Sequence, residues 1–273
     1  MQPEIKRYQV KHPLLKNHIR FFWELQAEHM FLDHKLIPQR DINLRINLSE
    51  TPQYLSIKGE NNLLENVYFP GLQDHFRDLS LKMNGKVHML GICFNPYGLY
   101  PFIRIPLSEF RNQMLGACEA GFRVFSSLGE QLRIAENTQK RLIILEDELA
   151  KILIRNNETP DKFVQIFNTL KYCDTSVQFS EFCSKNNMNI RSLERMYRKY
   201  VGLSASTFGT LNRFHNSLNF LLSSDYVKLS DLAYDNRYFD QMHFIHDFKR
   251  FAGTTPKKFL DQKKSILQIG KIS

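Results

Sequence analysis

The chain of 273 residues is long enough for two domains of ordinary size, and its 42% hydrophobic and 12% aromatic content excludes a wholly disordered protein. The net charge of +9 is unevenly placed, because residues 160–273 carry 17 Lys and Arg against 10 Asp and Glu. No apolar run approaches the roughly 18 residues that a membrane-spanning helix requires, so no membrane partner is expected.

The positive charge of the C-terminal part suits a polyanion, since neutralising phosphates releases condensed counterions and raises affinity. Charge alone leaves two interpretations open. One is a surface that binds nucleic acid, and the other is a basic surface that has no acidic partner.

Cys93, Cys118, Cys173 and Cys183 are scattered, without the close pairs that build a zinc site. The opening residues lack the apolar core of a signal peptide, so we predict a cytoplasmic protein with reduced thiols. The sequence contains no P-loop, dinucleotide-binding glycine fingerprint, nucleophile elbow or zinc-protease helix. We therefore predict that the protein is not an enzyme and holds no cofactor or metal.

The first hundred residues predict short strands separated by turn-rich stretches. Apolar and polar residues alternate in several of these segments, which is typical of a half-buried, mostly antiparallel sheet. The predicted strands are 21–25, 42–48, 53–57 and 87–94.

The pattern changes after Pro106, where apolar residues recur at helical spacing and predict a helix. This first helix would contain Leu107, Phe110, Met114 and Leu115. A longer charged helix follows, with an apolar stripe that could pack on the sheet or on a second copy of the chain. The stripe comprises Leu142, Ile143, Leu145, Leu149, Ile152 and Leu153. The polar segment 155–161 contains a proline and separates two compositions, so we place a domain boundary there.

The C-terminal part contains an internal repeat. Residues 197–202 (YRKYVG) recur 51 positions later as 248–253 (FKRFAG), and residues 179–183 match 229–233 at an offset of 50. Each copy has a short helix, a polar turn, a capping residue and a second amphipathic helix closed by glycine. This order is typical of a helix-turn-helix. The alternative is a structural helical bundle that arose by duplication.

Asn189 and Asp240 are the predicted caps. The helix after Asn189 would bury Leu193, Met196, Tyr197 and Tyr200, and the helix after Asp240 would bury Phe244, Phe248 and Phe251. The exposed faces would then show Arg191, Ser192, Glu194, Arg195 and Arg198 in the first copy, and Gln241, Met242, His243, His246, Asp247 and Arg250 in the second.

Residues 205–222, between the two copies, predict a helix about 27 Å long. A rigid spacer of this order can hold two recognition helices one DNA turn, about 34 Å, apart on one face of a duplex.

These residues resemble the DNA-binding domain of the AraC/XylS family of bacterial transcription regulators. The resemblance is most specific in 229–235 (LSDLAYD), 239–245 (FDQMHFI) and 248–256 (FKRFAGTTP), and looser in the first copy around Arg191, Leu193, Arg195 and 202–204 (GLS). It implies two helix-turn-helix subdomains joined by a linker helix, whose second helices enter successive major grooves, and a role in transcription regulation.

Carried onto matching positions, the resemblance implies that Arg191, Glu194, Arg195, Gln241, Met242 and His246 read bases. It implies phosphate or packing roles for Arg198, Lys249 and Arg250, and Ser192, Asp240 and His243 complete the predicted DNA-binding set. The chemistry agrees, because Arg can form two hydrogen bonds to guanine and Gln can do the same to adenine. His243 and His246 could instead hold a metal, but no third ligand lies at recognisable spacing.

Two positions depart from the family pattern. Cys183 stands where a small residue is usual, and Arg237 stands in the second turn where the family has glycine. Glycine accepts a positive φ without steric cost. Arg237 must therefore tolerate that conformation, or the turn must change shape.

The N-terminal half resembles an uncharacterised sensor-like domain that precedes this DNA-binding module. The matching motifs are 22–23 (FW), 36–38 (LIP), 70–71 (PG) and 91–98 (GICFNPYG). They imply a domain that binds an effector or dimerises. Trp23, Arg40, Asp41 and Arg45 are candidate ligand contacts, and each could equally be a core or surface residue.

The predicted fold is an α+β domain over 1–158, mostly antiparallel sheet plus helices, for sensing or dimerisation. An all-α domain follows over 159–265, with two helix-turn-helix subdomains and a linker helix, and 266–273 form a C-terminal tail. The expected partner is double-stranded DNA; a small-molecule effector, RNA polymerase and a second copy of the chain stay open. Two other hypotheses are an enzyme with a reactive Cys93 or Cys118 fused to a DNA-binding module, and a helical adaptor for acidic proteins.

Overall fold

The computed structural model describes residues 5–156, 161–170, 173, 176–223, 228–261 and 266–267. Its strands are β1 Ile5–Tyr8, β2 Ile19–Leu36, β3 Asn43–Asn47, β4 Gln53–Ile57, β5 Glu60–Leu63, β6 Val67–Pro70, β7 Leu79–Phe94, β8 Met114–Gly116 and β9 Ile266–Leu267. The helices are α1 Tyr100–Ile103, α2 Arg123–Ile134, α3 Thr138–Asn156, α4 Asp161–Leu170, α5 Ser176–Lys185, α6 Ile190–Tyr200, α7 Ala205–Ser223, α8 Leu229–Asp235, α9 Gln241–Ala252 and α10 Pro256–Asp261. Short 3-10 helices span Pro13–Leu15 and Leu107–Phe110.

The sheet is organised around two long antiparallel strands. β2 and β7 pair from Ile19 opposite Phe94 to Lys35 opposite Ser80. The later half of β7 pairs with β3 and its earlier half with β4, and the strand order is β1-β2-β7-β3-β6-β8. Outside this order, β5 pairs with β4, and β9 pairs with β2. All four predicted strands are confirmed, and the predicted fold class is confirmed as an antiparallel sheet domain followed by helices.

Two hydrophobic clusters lie on the sheet. One contains Trp23, Tyr68 and Met89. The other begins with residues such as Phe22 and continues without a break through the C-terminal helices as far as Phe259. The sheet and the helical region therefore share one continuous core, which fixes the C-terminal helices against the sheet.

The predicted helix after Pro106 is wrong beyond Phe110. Residues 107–110 form only a 3-10 helix, and Asn112 takes a left-handed φ of +61° that ends it. Met114 and Leu115 then pair with Pro70 and Phe69 as part of β8. Apolar residues at helical spacing cannot reveal a pairing partner that lies more than forty positions earlier in the chain.

The apolar stripe of α3 is confirmed at Leu145, Leu149, Ile152 and Leu153, which are buried, whereas Ile143 is 51% exposed. The predicted domain boundary at 158/159 lies outside the described residues, as do residues 268–273 of the predicted tail.

Candidate nucleic-acid interface

The two helix-turn-helix units, α5–α6 and α8–α9, repeat one hydrogen-bonding pattern. The amide of Asn186 donates to the Phe182 carbonyl at 3.1 Å, and its side chain donates to the same oxygen at 2.8 Å. Fifty positions later Asn236 does the same to Leu232, at 3.2 and 2.9 Å. An asparagine at the equivalent position therefore caps the C-terminal end of the first helix in each unit.

Asn187 and Arg237 occupy the equivalent left-handed position in each turn, with φ of +49° and +60°. The next residue donates back to the first helix in both units, at 2.9 Å from Met188 to Cys183 and 3.0 Å from Tyr238 to Ala233. The second turn therefore keeps its shape, and Arg237 adopts the conformation that glycine would take there.

Both predicted caps are confirmed. The Asn189 side chain accepts from the Arg191 amide at 2.8 Å, and the Asp240 side chain accepts from the His243 amide at 2.7 Å. The residue gained in the second unit is Phe239, directly before the cap, and its side chain is 92% exposed. The second unit therefore has a solvent-exposed phenylalanine ring, that of Phe239, beside the start of α9.

The outward face of α6 carries Arg191, Arg195 and Arg198, all exposed, with Ser192 half-buried beside them. Glu194 has a further contact that the sequence did not indicate. Its Oε2 accepts from the Ala205 amide at 3.1 Å, at the first residue of α7. A carboxylate suits an unpaired helix N-terminus, so Glu194 joins α6 to the start of the linker helix.

The outward face of α9 carries Gln241, Met242, His246 and Lys249, all exposed. His243 is half-buried, with its ring set edge-on to Tyr238 at 5.4 Å between centroids. The structure thus leaves four of the predicted α9 contacts open to a partner and holds one against the turn.

The expected exposure of Asp247 is wrong. Its carboxylate is 5% exposed, because it accepts at 3.0 Å from Arg213 of α7, which is also buried. The Arg213 guanidinium lies over the Tyr238 ring at 4.6 Å. This pair fastens α9 to the linker helix, and the helical period of α9 alone could not show it.

An open groove of about 700 Å³ runs between α6 and the 3-10 helix Leu107–Phe110. Pro106, Ser108 and Glu109 line one side. Arg191, Arg195 and Arg198 are among the residues lining the other side. The basic face of α6 therefore opens onto a space that the sheet domain borders.

The second unit is hydrogen-bonded to the sheet domain. Arg250 Nε donates to the Asp74 carbonyl at 3.0 Å, and the Phe76 amide donates to the Arg250 carbonyl at 2.7 Å. Gly253, with φ of +71°, lies so close to the Phe76 ring that a Cβ would fall 2.3 Å from it. Arg250 is thus placed in a contact between domains.

The linker helix also contacts the sheet domain. His215 Nε2 lies 2.9 Å from the Pro38 carbonyl, and the neighbouring Arg40 donates to Asn216 at 3.5 Å. Burial, aided by the charge of Arg40, lowers the pKa of His215 to about 4. The neutral imidazole therefore donates to Pro38 at ordinary pH.

The other ligand candidates of the sheet domain lie inside it. Trp23 is buried over Gly91, where a Cβ would fall 2.0 Å from the indole, and its Nε1 donates to Asn43 at 3.2 Å. Asp41 is buried and ion-paired to Arg20, and burial raises its pKa. Arg45 is buried on β3.

The surroundings of Cys93 argue against a reactive thiol at this position. Cys93 is buried, and burial raises the pKa of its thiol, which opposes formation of a nucleophilic thiolate. Cys118 is exposed. Within the described ranges, no three His, Cys, Asp or Glu side chains are grouped to hold a metal. None of the described helices combines the length and the apolar composition that a membrane span requires.

Comparison with known proteins divides the chain into two matched regions. Residues 182–262 match the model of a helix-turn-helix domain, and residues 10–116 match that of a domain of unknown function (DUF6597). The uncharacterized HTH-type transcriptional regulator YtdP of Bacillus subtilis (strain 168) is 26% identical over 93 residues. That stretch is 34% of this chain and 12% of the relative.

Solved structures of ToxT are similar over most of the chain. ToxT from Vibrio cholerae O395 aligns with 95% of this chain and 96% of its own, at 13% identity and a TM-score of 0.43. Unsaturated fatty acid bound ToxT from Vibrio cholerae strain SCE256 aligns with 88% and 93%, at 14% identity and a TM-score of 0.41. The matched helix-turn-helix model and the repeated turns agree with the resemblance inferred from the sequence. The C-terminal part of the chain therefore contains a helix-turn-helix domain of the AraC type, and a domain of unknown function precedes it.

Proposed function

We propose that the protein is a sequence-specific DNA-binding regulator of transcription that inserts α6 and α9 into successive major grooves of one duplex. The observation that carries this proposal is the repeated unit, with the same turn, a side-chain cap and a polar outward face in both copies. The 19-residue helix α7 holds the two units apart, over about 28 Å. That length is close to one DNA turn of about 34 Å.

The exposed side chains divide into two chemical roles. Arg191 and Arg195 can bind guanine with two hydrogen bonds, Gln241 can bind adenine, and Met242 suits the methyl group of thymine. His246, which is exposed, stays a proposed base contact, and the half-buried Ser192 and His243 complete the proposed set. Arg198 and Lys249, nearer the helix ends, suit phosphates, which position the protein without reading sequence.

Glu194 and Arg250 have a different role in this proposal. Each already makes a hydrogen bond that fixes a recognition helix, Glu194 to α7 and Arg250 to the sheet domain. They position α6 and α9 and are not the main base contacts.

The sheet domain, in the same proposal, senses an effector or dimerises and thereby changes how the two units meet DNA. Such a shift requires that the effector bind two conformations with different affinity. The contacts of Arg250 and His215 with the sheet domain support this, because they connect that domain to α9 and α7. RNA polymerase is a further proposed partner.

Selection of random duplexes by the full chain at near-physiological salt tests the proposal. We expect enrichment of two short blocks about one helical turn apart. Arg195→Ala should relax one block and Gln241→Ala the other, while Lys151→Ala, on the exposed face of α3, should leave both unchanged. Binding that survives both recognition-helix variants with no motif enriched would overturn the proposal in favour of a helical adaptor for acidic proteins.

A further inference from the structure

Two large apolar side chains lie exposed at the start of α9. Phe239, directly before the Asp240 cap, is 92% exposed, and Met242, in the first turn of the helix, is 71% exposed. Phe244 and Phe248 of the same helix are fully buried. Single exposed apolar residues are common on protein surfaces, whereas neighbouring ones often mark a contact with a partner. The start of α9 is therefore a candidate contact surface of apolar character.

Phe239 does not take the structural role that its position usually has. An apolar residue directly before a helix cap commonly packs on the fourth residue of the helix and fixes the entry of the chain. In α9 that fourth residue is Phe244, whose ring contacts Tyr238 and Phe248, at 5.2 and 5.6 Å between centroids. The described part of the chain leaves the Phe239 side chain almost uncovered. The packing of α9 therefore does not depend on the Phe239 ring.

The first unit shows that the turn does not require this residue either. Met188 donates its amide to the first helix of that unit, directly precedes the Asn189 cap and is half-buried against the hydrophobic core. Tyr238 makes the same backbone hydrogen bond in the second unit and is buried. Tyr238 thus takes the place of Met188, and Phe239 is the additional residue. An exposed ring that neither the turn nor the packing needs indicates a role on the outward side of the unit.

We infer that Phe239 and Met242 contact the methyl groups of thymines in the major groove and so determine part of the sequence that the second unit recognises. The N-terminal residues of a recognition helix are the ones that contact base edges, and these two residues flank the N-terminus of α9. The C5-methyl group of thymine is an apolar feature of the major groove that apolar side chains recognise. The inference rests on the proposed function and deepens it, because it makes Phe239 a specificity-determining residue.

Gln241 lies between these two residues in the chain and is exposed as well. An A·T pair offers adenine N6 and N7 to a glutamine side chain and the thymine methyl group to an apolar one. Phe239, Gln241 and Met242 together therefore suit consecutive A·T pairs. We expect thymine in the block that α9 selects, whereas the arginines of α6 favour guanine in the other block.

Replacement of thymine by deoxyuridine tests the contact, because it removes the methyl group and keeps the hydrogen-bonding groups of the base pair. The probe is the duplex that the full chain selects, with deoxyuridine at one thymine at a time in each block. We expect the affinity to fall about fourfold at one or two positions of the α9 block, which is the effect of losing one buried methyl group. Substitutions in the α6 block should change the affinity little. Fluorescence anisotropy at constant salt measures the Kd.

Three variants assign the contact to its side chains. Phe239→Ala should weaken binding to the thymine duplex and abolish the effect of deoxyuridine at one position, because it removes the ring that contacts the methyl group. Met242→Ala should abolish the effect at a neighbouring position. Phe239→Leu keeps an apolar side chain and should retain most of the discrimination between thymine and deoxyuridine.

Ile134→Ala is the matched control. Ile134 is the last residue of α2 and is 84% exposed, so this variant removes an exposed apolar side chain from the sheet domain. It should change neither the affinity nor the effect of deoxyuridine. Thermal unfolding checks the fold of the Phe239→Ala variant, whose Tm should match that of the natural chain because the ring is almost uncovered.

The inference is overturned if the selected α9 block has no thymine, or if deoxyuridine weakens binding nowhere in that block. It is also overturned if Phe239→Ala and Met242→Ala both keep the full effect of deoxyuridine. In each of these cases two enriched blocks still support the proposed function, and the exposed ring would then suit a protein partner. A chain that selects no duplex refutes the proposed function and the inference together.

Discussion

The turns of the two helix-turn-helix units have the same geometry, but the two units pack against the rest of the molecule through different contacts. In the first unit, Tyr197 of α6 packs among aromatic rings of other helices, including Phe163 at 5.3 Å and Phe208 at 6.2 Å. In the second, Asp247 stands one position before the residue that matches Tyr197, and it forms a buried ion pair with Arg213. Met196 occupies the matching place in the first unit. The hydrogen bonds of the turn are therefore repeated in the two units, while the contacts that anchor α6 and α9 to the rest of the molecule differ.

The two proposed recognition helices, α6 and α9, also present different chemistry. α6 shows three exposed arginines, whereas α9 shows an amide, a thioether, an imidazole and one lysine. Arginine supplies strong contacts to guanine and phosphate, while the α9 set suits adenine and thymine. We therefore expect the first unit to supply more of the affinity and the second to be the one that the sheet domain adjusts.

The largest effect should come from breaking the anchor of the second unit. Asp247→Ala leaves the buried Arg213 charge unpaired and should cost about 3–5 kcal/mol of unfolding free energy, measured by urea denaturation. Asp247→Leu combined with Arg213→Met should recover most of that loss. Met196→Ala at the matching place should cost only about 1 kcal/mol. A double variant as unstable as the single one would show that the pair is not the anchor.

The contact between α7 and the sheet domain should depend on pH. Because the pKa of His215 is lowered from 6.5 to about 4, the unfolded chain takes up a proton more readily than the folded chain between those values. The stability contributed by neutral His215 is therefore complete above pH 6.5 and lost as the pH falls toward 4, by up to about 3 kcal/mol.

The measurement is urea unfolding at a series of pH values for the natural chain and for His215→Gln. Glutamine keeps an N–H donor for the Pro38 carbonyl and does not titrate. The unfolding free energy of the variant should therefore change less with pH between 6.5 and 4 than that of the natural chain. Parallel curves for the two proteins would contradict the assignment to His215.

Each recognition helix should lose its own part of the operator. Arg195→Ala and Gln241→Ala should each lower discrimination at one base pair by about 1–3 kcal/mol, in different blocks of the selected site. Competition binding with duplexes altered in one block at a time measures this. Arg198→Ala should instead weaken binding to all sequences and reduce the salt dependence of affinity. Loss of the same block in both base-reading variants would contradict the assignment of one helix to each block.

The smallest effect concerns the shared turn. Arg237→Gly should stabilise the chain by about 1 kcal/mol, because a left-handed conformation is strained for arginine. Asn187→Gly at the equivalent position should gain only a few tenths of a kcal/mol, since asparagine tolerates that conformation. Thermal unfolding of the two variants measures the difference. Equal gains in both units would mean that the turns are not strained differently.

Features that depend on neighbouring residues could be predicted from the sequence. Alternation predicted the strands, the internal repeat predicted the two units, and the caps Asn189 and Asp240 were predicted because their hydrogen bonds close within three positions. The missing glycine at Arg237 marked in advance the place where the second turn is left-handed. Such features are encoded locally, so a single segment contains both partners of each interaction.

Features whose interacting residues are distant in the chain could be seen only in the folded structure. Asp247 is buried because Arg213 lies 34 positions earlier, and Met114 is in a strand because Pro70 pairs with it. A local sequence pattern shows whether a residue is charged or apolar. The free energy of burying that residue depends on the group that it contacts in the folded chain.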